Sequence, residues 1–107
     1  MPAVRDFERA HDWLARSGRR RAEAFVRRVQ AGSERLEEEP LAGPLAEDIE
    51  PEGTLRSLSI APHRLLYRAT STTVTILRVW DSRRDPATLL LPADATEGLA
   101  SGEGEQN

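Results

Sequence analysis

The chain of 107 residues contains no cysteine and no lysine, and only 5% of it is aromatic. Without cysteine there can be no disulfide framework, no thiolate zinc site and no cysteine nucleophile. His11 and His63 are then the only soft metal ligands, too few for a structural zinc site, so neither metal nor cofactor is expected. No apolar run approaches the roughly 20 residues needed to cross a bilayer, so no membrane role is expected. "MPAVRDFERAHDW" also lacks the basic head, apolar centre and small-residue cleavage site of a secretory signal. A reducing cytoplasm is the natural setting for such a chain.

What is present is charge: 31% of residues are charged against 38% hydrophobic, the balance of a soluble globular domain. All 15 basic residues are arginine, a bias that a GC-rich genome would also produce, and it covers the surface with permanently charged forks suited to carboxylate and phosphate. The net charge of −3 is unevenly placed. Residues 94–107 hold four acids (Asp94, Glu97, Glu103, Glu105) and no base, which leaves the preceding residues at +1. The expected organisation is one domain over residues 1–93, followed by an acidic, Gly-rich tail over 94–107 whose composition is that of a disordered segment.

Phe7, Ala10 and Leu14 recur at helical spacing from about Val4 to Arg16, with Pro2 where a helix start tolerates it. "RSGRR" breaks the pattern, and Ala22, Phe25, Val26, Val29 and Leu36 mark a second helix, completing an αα-hairpin. Arg19, Arg20, Arg21, Arg27, Arg28 and Arg35 form its polar side, ordinarily a solvated face. "EEEPLAGPLAEDIEPEG" carries three prolines, two glycines and seven acids and reads as an acidic connector. Beyond it the period changes to two. Thr54 to Ile60, His63 to Thr70 and Thr73 to Asp81 are three strands whose short links, "AP" and "STT", permit only an antiparallel meander. The class is α+β, with the hairpin as the only apolar layer available to cover the sheet.

Alternation assigns Leu58, Ile60, Leu65, Tyr67, Leu77 and Val79 to the helix-covered face. It leaves Arg64, Leu66 and Arg68, and Val74, Ile76, Arg78 and Trp80, on an open face, with Arg83 and Arg84 at its end. Such a cluster of guanidinium forks beside an indole could grip phosphate or carboxylate. The plainer reading pairs Arg78 and Arg84 with Asp81, Asp85 or the connector, closing the sheet edge. His63, next to a proline, reads as a surface loop residue. Trp13, Phe25 and Val29 are core residues on the simplest reading, or partner anchors if exposed.

"HRLLYR" (His63 to Arg68) and "ILRVWDSRRDP" (Ile76 to Pro86), following two helices, an acidic connector and a "G-x-L-R-x-L-x-I" strand, resemble the RelE/ParE superfamily of type II toxin-antitoxin toxins, the plasmid stabilisation proteins. The likeness spans about Val4 to Leu91. It implies a small cytoplasmic toxin held inactive by a cognate antitoxin that wraps over its helices and sheet edge. Members usually open with a strand before the first helix, where this chain offers only "MPAV".

RelE-like members cleave mRNA on the ribosome with basic residues of the sheet and often a late tyrosine. Arg64 and Arg83 stand at two of those positions, but the tyrosine falls near Leu89 or Leu90, and the lysine pair is reduced to Arg56 followed by Ser57 and Ser59. ParE-like members poison DNA gyrase through protein contacts and need no proton-transfer residue. The ParE-like reading implies a growth inhibitor that needs no catalysis, with Arg64, Arg68, Arg78, Trp80, Arg83 and Arg84 as target-binding candidates, and leaves open whether the chain is an enzyme. The alternatives are a ribosome-dependent endoribonuclease using Arg64 and Arg83, and a decayed toxin that only binds an antitoxin.

Overall fold

A computed structural model describes residues 2–91. The acidic tail of the sequence reading lies outside them.

Two helices come first, α1 over Pro2–Ser17 and α2 over Arg19–Glu38. Ala3, Phe7, Ala10 and Leu14 line one stripe of α1, and Ala22, Phe25, Val29 and Leu36 one stripe of α2, so each helix has one side to bury. Gly18 separates them with φ +154°, a conformation that a residue with a Cβ rarely adopts. It accepts from Ala22 and donates to the Leu14 carbonyl, so the chain turns within one residue.

Three antiparallel strands follow in the order β1-β2-β3: β1 Arg56–Ile60, β2 His63–Ala69 and β3 Val74–Asp81. The boundaries lie within two residues of those the sequence predicts. Leu58 faces Leu65, which faces Val79, and with Phe25, Leu36 and Tyr67 they form the core under the helices.

Two expectations about the sheet are corrected. A register shift between Leu66 and Tyr67 pairs Leu66 with Arg78 but Tyr67 with Ile76, leaving Leu77 without a partner. One extra residue in a strand inverts the facing of everything beyond it. Val74 and Ile76 therefore pack against the helix-side core, whereas Leu77 joins the opposite face.

That opposite face is not open. The connector lies across it, and Ala46 and Leu55 enclose Leu66, Leu77 and Trp80 in a second core, flanked by Ile49, Leu89 and Leu91. The helix hairpin is thus one of two covering layers. The connector is fastened by Tyr67, whose hydroxyl accepts from Gly43 N–H at 2.9 Å, and by Arg56, which donates to the Gly43 carbonyl at 2.8 Å. A Cβ at Gly43 would stand 2.5 Å from the Ser57 carbonyl oxygen, so only glycine permits this approach. No helix among the described residues is long and apolar enough to cross a membrane.

Candidate functional site

The arginines that alternation places on the second face of the sheet are each held by a carboxylate. Arg64 donates to Asp48 at 2.7 and 3.4 Å. Arg68, only 5% exposed, reaches both oxygens of Glu50 at 2.8 Å and the Thr54 hydroxyl at 2.9 Å. Arg78 forks onto Asp6 of α1 at 2.6 and 2.8 Å and also donates to the Leu90 carbonyl at 2.7 Å. Two of the three acids come from the connector, which lays its negative charge directly over the strand cations.

These contacts move the acids' titration. The Arg64 guanidinium holds the Asp48 carboxyl below the usual range, against the opposing effect of burial. Hydrogen bonds from Arg68, and then from the Leu55 and Thr54 amides, bring Glu50 down to about 2. Arg68 and Arg78 are raised by their partners in return.

Trp80 is 1% exposed and lies between two guanidiniums, with Arg78 at 5.4 Å and Arg84 at 4.6 Å from the ring centroid. The expectation of three arginines and a tryptophan on an open sheet surface is corrected accordingly: Arg68 and Trp80 are interior, and Arg64 and Arg78 are mostly covered. Of the six target-binding candidates, Arg83 and Arg84 alone are exposed. Arg83 folds back on Asp81 through its backbone amide at 2.9 Å and its side chain at 2.9 and 2.7 Å. That grip lowers Asp81 to about 2. In the same turn, the Asp85 carboxylate caps the 3₁₀ turn Pro86–Thr88 by accepting from Ala87 N–H at 2.9 Å.

His63 is also corrected. It heads β2, as the strand reading has it, but is buried instead of lying on the surface, and stacks obliquely on Phe25 with ring centroids 5.0 Å apart. Burial pushes its pKa down, with Arg83 and Arg28 adding to the effect and Asp81 opposing it. Neutral imidazole is the form this position favours.

Beside His63 opens a cleft of about 850 Å³ between α1, α2 and the β3 end of the sheet. Arg9, Arg16, Arg21 and Arg28 enter it from the helices, Arg83 and Arg84 from the turn after β3. Its floor includes Leu14, Pro62 and Val79, and Trp13, 57% exposed, stands at its wall. Sequence reasoning treated Arg21 and Arg28 as part of a solvated face and Trp13 as core, and did not single out Arg9 or Arg16. The signal that could have found the cleft is spacing: Arg9 and Arg16, and Arg21 and Arg28, are each two turns apart, with Trp13 between the first pair.

The family model described as the ParE toxin of the type II toxin-antitoxin system, parDE, matches residues 1–86. The chain belongs to the ParE toxin family. It is a toxin of a type II toxin-antitoxin system, a class that implies an antitoxin partner. The match takes in both helices, the connector, the sheet and Arg83 and Arg84, as far as Pro86. The α+β architecture expected from the RelE/ParE resemblance is the one found, two helices on a three-stranded antiparallel sheet. No curated protein matches the chain.

Proposed function

We propose that this ParE-family toxin arrests growth by poisoning DNA gyrase through protein contacts, and that a cognate antitoxin neutralises it by covering the contact surface. The observation that carries the reading is the engagement of the sheet arginines. Arg64 and Arg83, the two positions that a ribonuclease mechanism would use, are tied to Asp48 and Asp81. A guanidinium already saturated by a carboxylate is a poor stabiliser of a phosphorane, and acid-base cleavage also needs a proton-transfer group within hydrogen-bond reach. His63 is buried against Phe25 and disfavours its charged form. Protein-protein poisoning asks only for a shaped surface, which Arg83, Arg84 and the adjoining cleft supply.

The test is induced expression of the chain alone in a bacterial host, together with a supercoiling assay on purified gyrase. Growth arrest with SOS induction, and cleaved DNA accumulating with gyrase present, supports the reading. Arrest accompanied by mRNA cleavage at ribosomal A sites, with supercoiling untouched at large excess of toxin, refutes it in favour of the endoribonuclease.

A further inference from the structure

We infer that the arginine cleft is a binding site for an acidic peptide segment and that its occupant in the free protein is the chain's own residues 94–107. Among the described residues, no carboxylate lies within salt-bridge distance of Arg9, Arg16, Arg21, Arg28 or Arg84. This contrasts with Arg64, Arg68 and Arg78 of the sheet, each of which is paired with a carboxylate. The same cleft holds two buried nitrogens without a hydrogen-bond partner, Arg28 Nε and His63 Nδ1. A buried guanidinium N–H without a partner, beside arginines unpaired among the described residues, suits a place that receives oxygen acceptors.

The tail has the complementary composition and the right point of departure. Asp94, Glu97, Glu103 and Glu105 bring four negative charges with no base, and Leu99 is an apolar group to meet the floor of Leu14, Pro62 and Val79. The Leu90 carbonyl is held by Arg78, and the same guanidinium grips Asp6, a residue of the cleft wall. The chain therefore leaves the described fold one side chain from the cleft. Fourteen residues reach up to roughly 45 Å, about twice the 24 Å length of a 16-residue helix such as α1.

A tethered ligand has an effective concentration in the millimolar range, so weak individual pairs suffice. A free nucleic acid, by contrast, would approach a chain of net charge −3 with no long-range attraction. The consequence is regulatory: a partner that uses these arginines must first displace the tail. This inference does not rest on the gyrase reading and would stand if the target were the ribosome.

The absence of cysteine gives a direct test. Ser101→Cys in the full-length chain carries a single nitroxide, and paramagnetic broadening is read at every backbone amide. Loss of most signal intensity at Arg9 to Arg16, Arg28 and His63 is expected, with recovery in molar salt and in the variant in which Asp94, Glu97, Glu103 and Glu105 become Asn or Gln. That variant alters none of residues 2–91. Broadening confined to residues adjoining Leu91, spread equally over Arg20, Arg27 and Arg35 on the helix hairpin, or unchanged by neutralising the tail would overturn the proposal.

Discussion

Glu50 and Arg68 meet through two parallel hydrogen bonds of 2.8 Å, and the same carboxylate accepts from the Thr54 and Leu55 amides at 3.0 Å. One side chain thus fastens the acidic connector to the middle strand and neutralises a guanidinium buried beneath it. Glu50→Gln should destabilise the fold by about 2–3 kcal/mol, because Arg68 keeps its charge and loses its counter-ion while Glu50 retains one solvated flank. Urea denaturation followed by circular dichroism measures this, and a cost near zero would contradict the assigned role.

Acid should unfold the protein through the same contact. Glu50 titrates near 4.5 when unpaired and about 2 in the fold, and Asp81 falls from 3.8 to about 2. Both folded values lie below the unfolded ones, so the unfolded chain binds more protons as pH falls. The stabilisation is complete above about pH 4.5 and is lost on the way down to pH 2. Urea midpoints collected across that window should decline with falling pH, and Glu50→Gln should flatten the decline.

His63 gives a second, separate limb. Its pKa is depressed by burial, so stability is complete above the unfolded value of 6.5 and falls as pH drops below it, with a slope of at most about 1.4 kcal/mol per pH unit. His63→Asn should remove that slope while leaving the limb below pH 4.5. A pH-independent urea midpoint between 7 and 5 in the parent protein would show that the imidazole is solvated.

Asp6 ties α1 to the outer edge of β3, accepting from Arg78 and from Val79 N–H at 3.0 Å. Both side chains of the ion pair are largely covered, at 15% and 11% exposure. Asp6→Ala should cost about 3 kcal/mol, and a cycle with Arg78→Ala should yield a coupling of at least about 1 kcal/mol. Additive losses in the double variant would mean that the two groups act independently.

The exposed turn should behave in the opposite way. Arg83 and Arg84 project from the end of β3, and reversing both to glutamate should cost no more than the exposed Arg83–Asp81 pair contributes, well below the cost of Asp6→Ala. The same double variant should no longer arrest growth when induced. Full toxicity with intact expression would remove these residues from the target contact.

The elements were legible because each has one clean period. The stripe Ala22, Phe25, Val29 and Leu36 can only be a helix, and "HRLLYRA" places Leu65 and Tyr67 on one face as alternation requires. The shift in β3 was not legible, since "VTILRVW" contains no glycine or proline to mark it and either parity buries apolar side chains. The second core was hidden for a different reason. Ala46, Ile49 and Leu55 follow no period, and they lie in a stretch whose prolines and acids read as loop. Loop was correct, but proximity to the sheet was not inferable from it.

The site was legible in its cations and illegible in their partners. Asp6 and Arg78 are separated by 72 residues, and Asp48 and Arg64 by 16, so their pairing follows from the packing of the connector and α1 and from nothing local. Counting arginines on a strand therefore overstates how many are available. Here the helices, of which only the polar face of α2 was assigned to solvent, contribute more unpaired guanidiniums to a concave surface than the strands do.

The placement of Arg84 over Trp80 makes the indole an optical reporter of the turn after β3. Trp80 is shielded from water, and the exposed Arg84 guanidinium lies 4.6 Å from its ring centroid. With Trp13 replaced by phenylalanine, Trp80 would be the sole indole of the chain, and its emission would remain that of a dry environment. An anionic ligand or protein surface that draws Arg84 away removes a cation from the ring face and admits solvent to it. Occupancy of the turn could then be read from unlabelled protein by the colour and yield of its fluorescence.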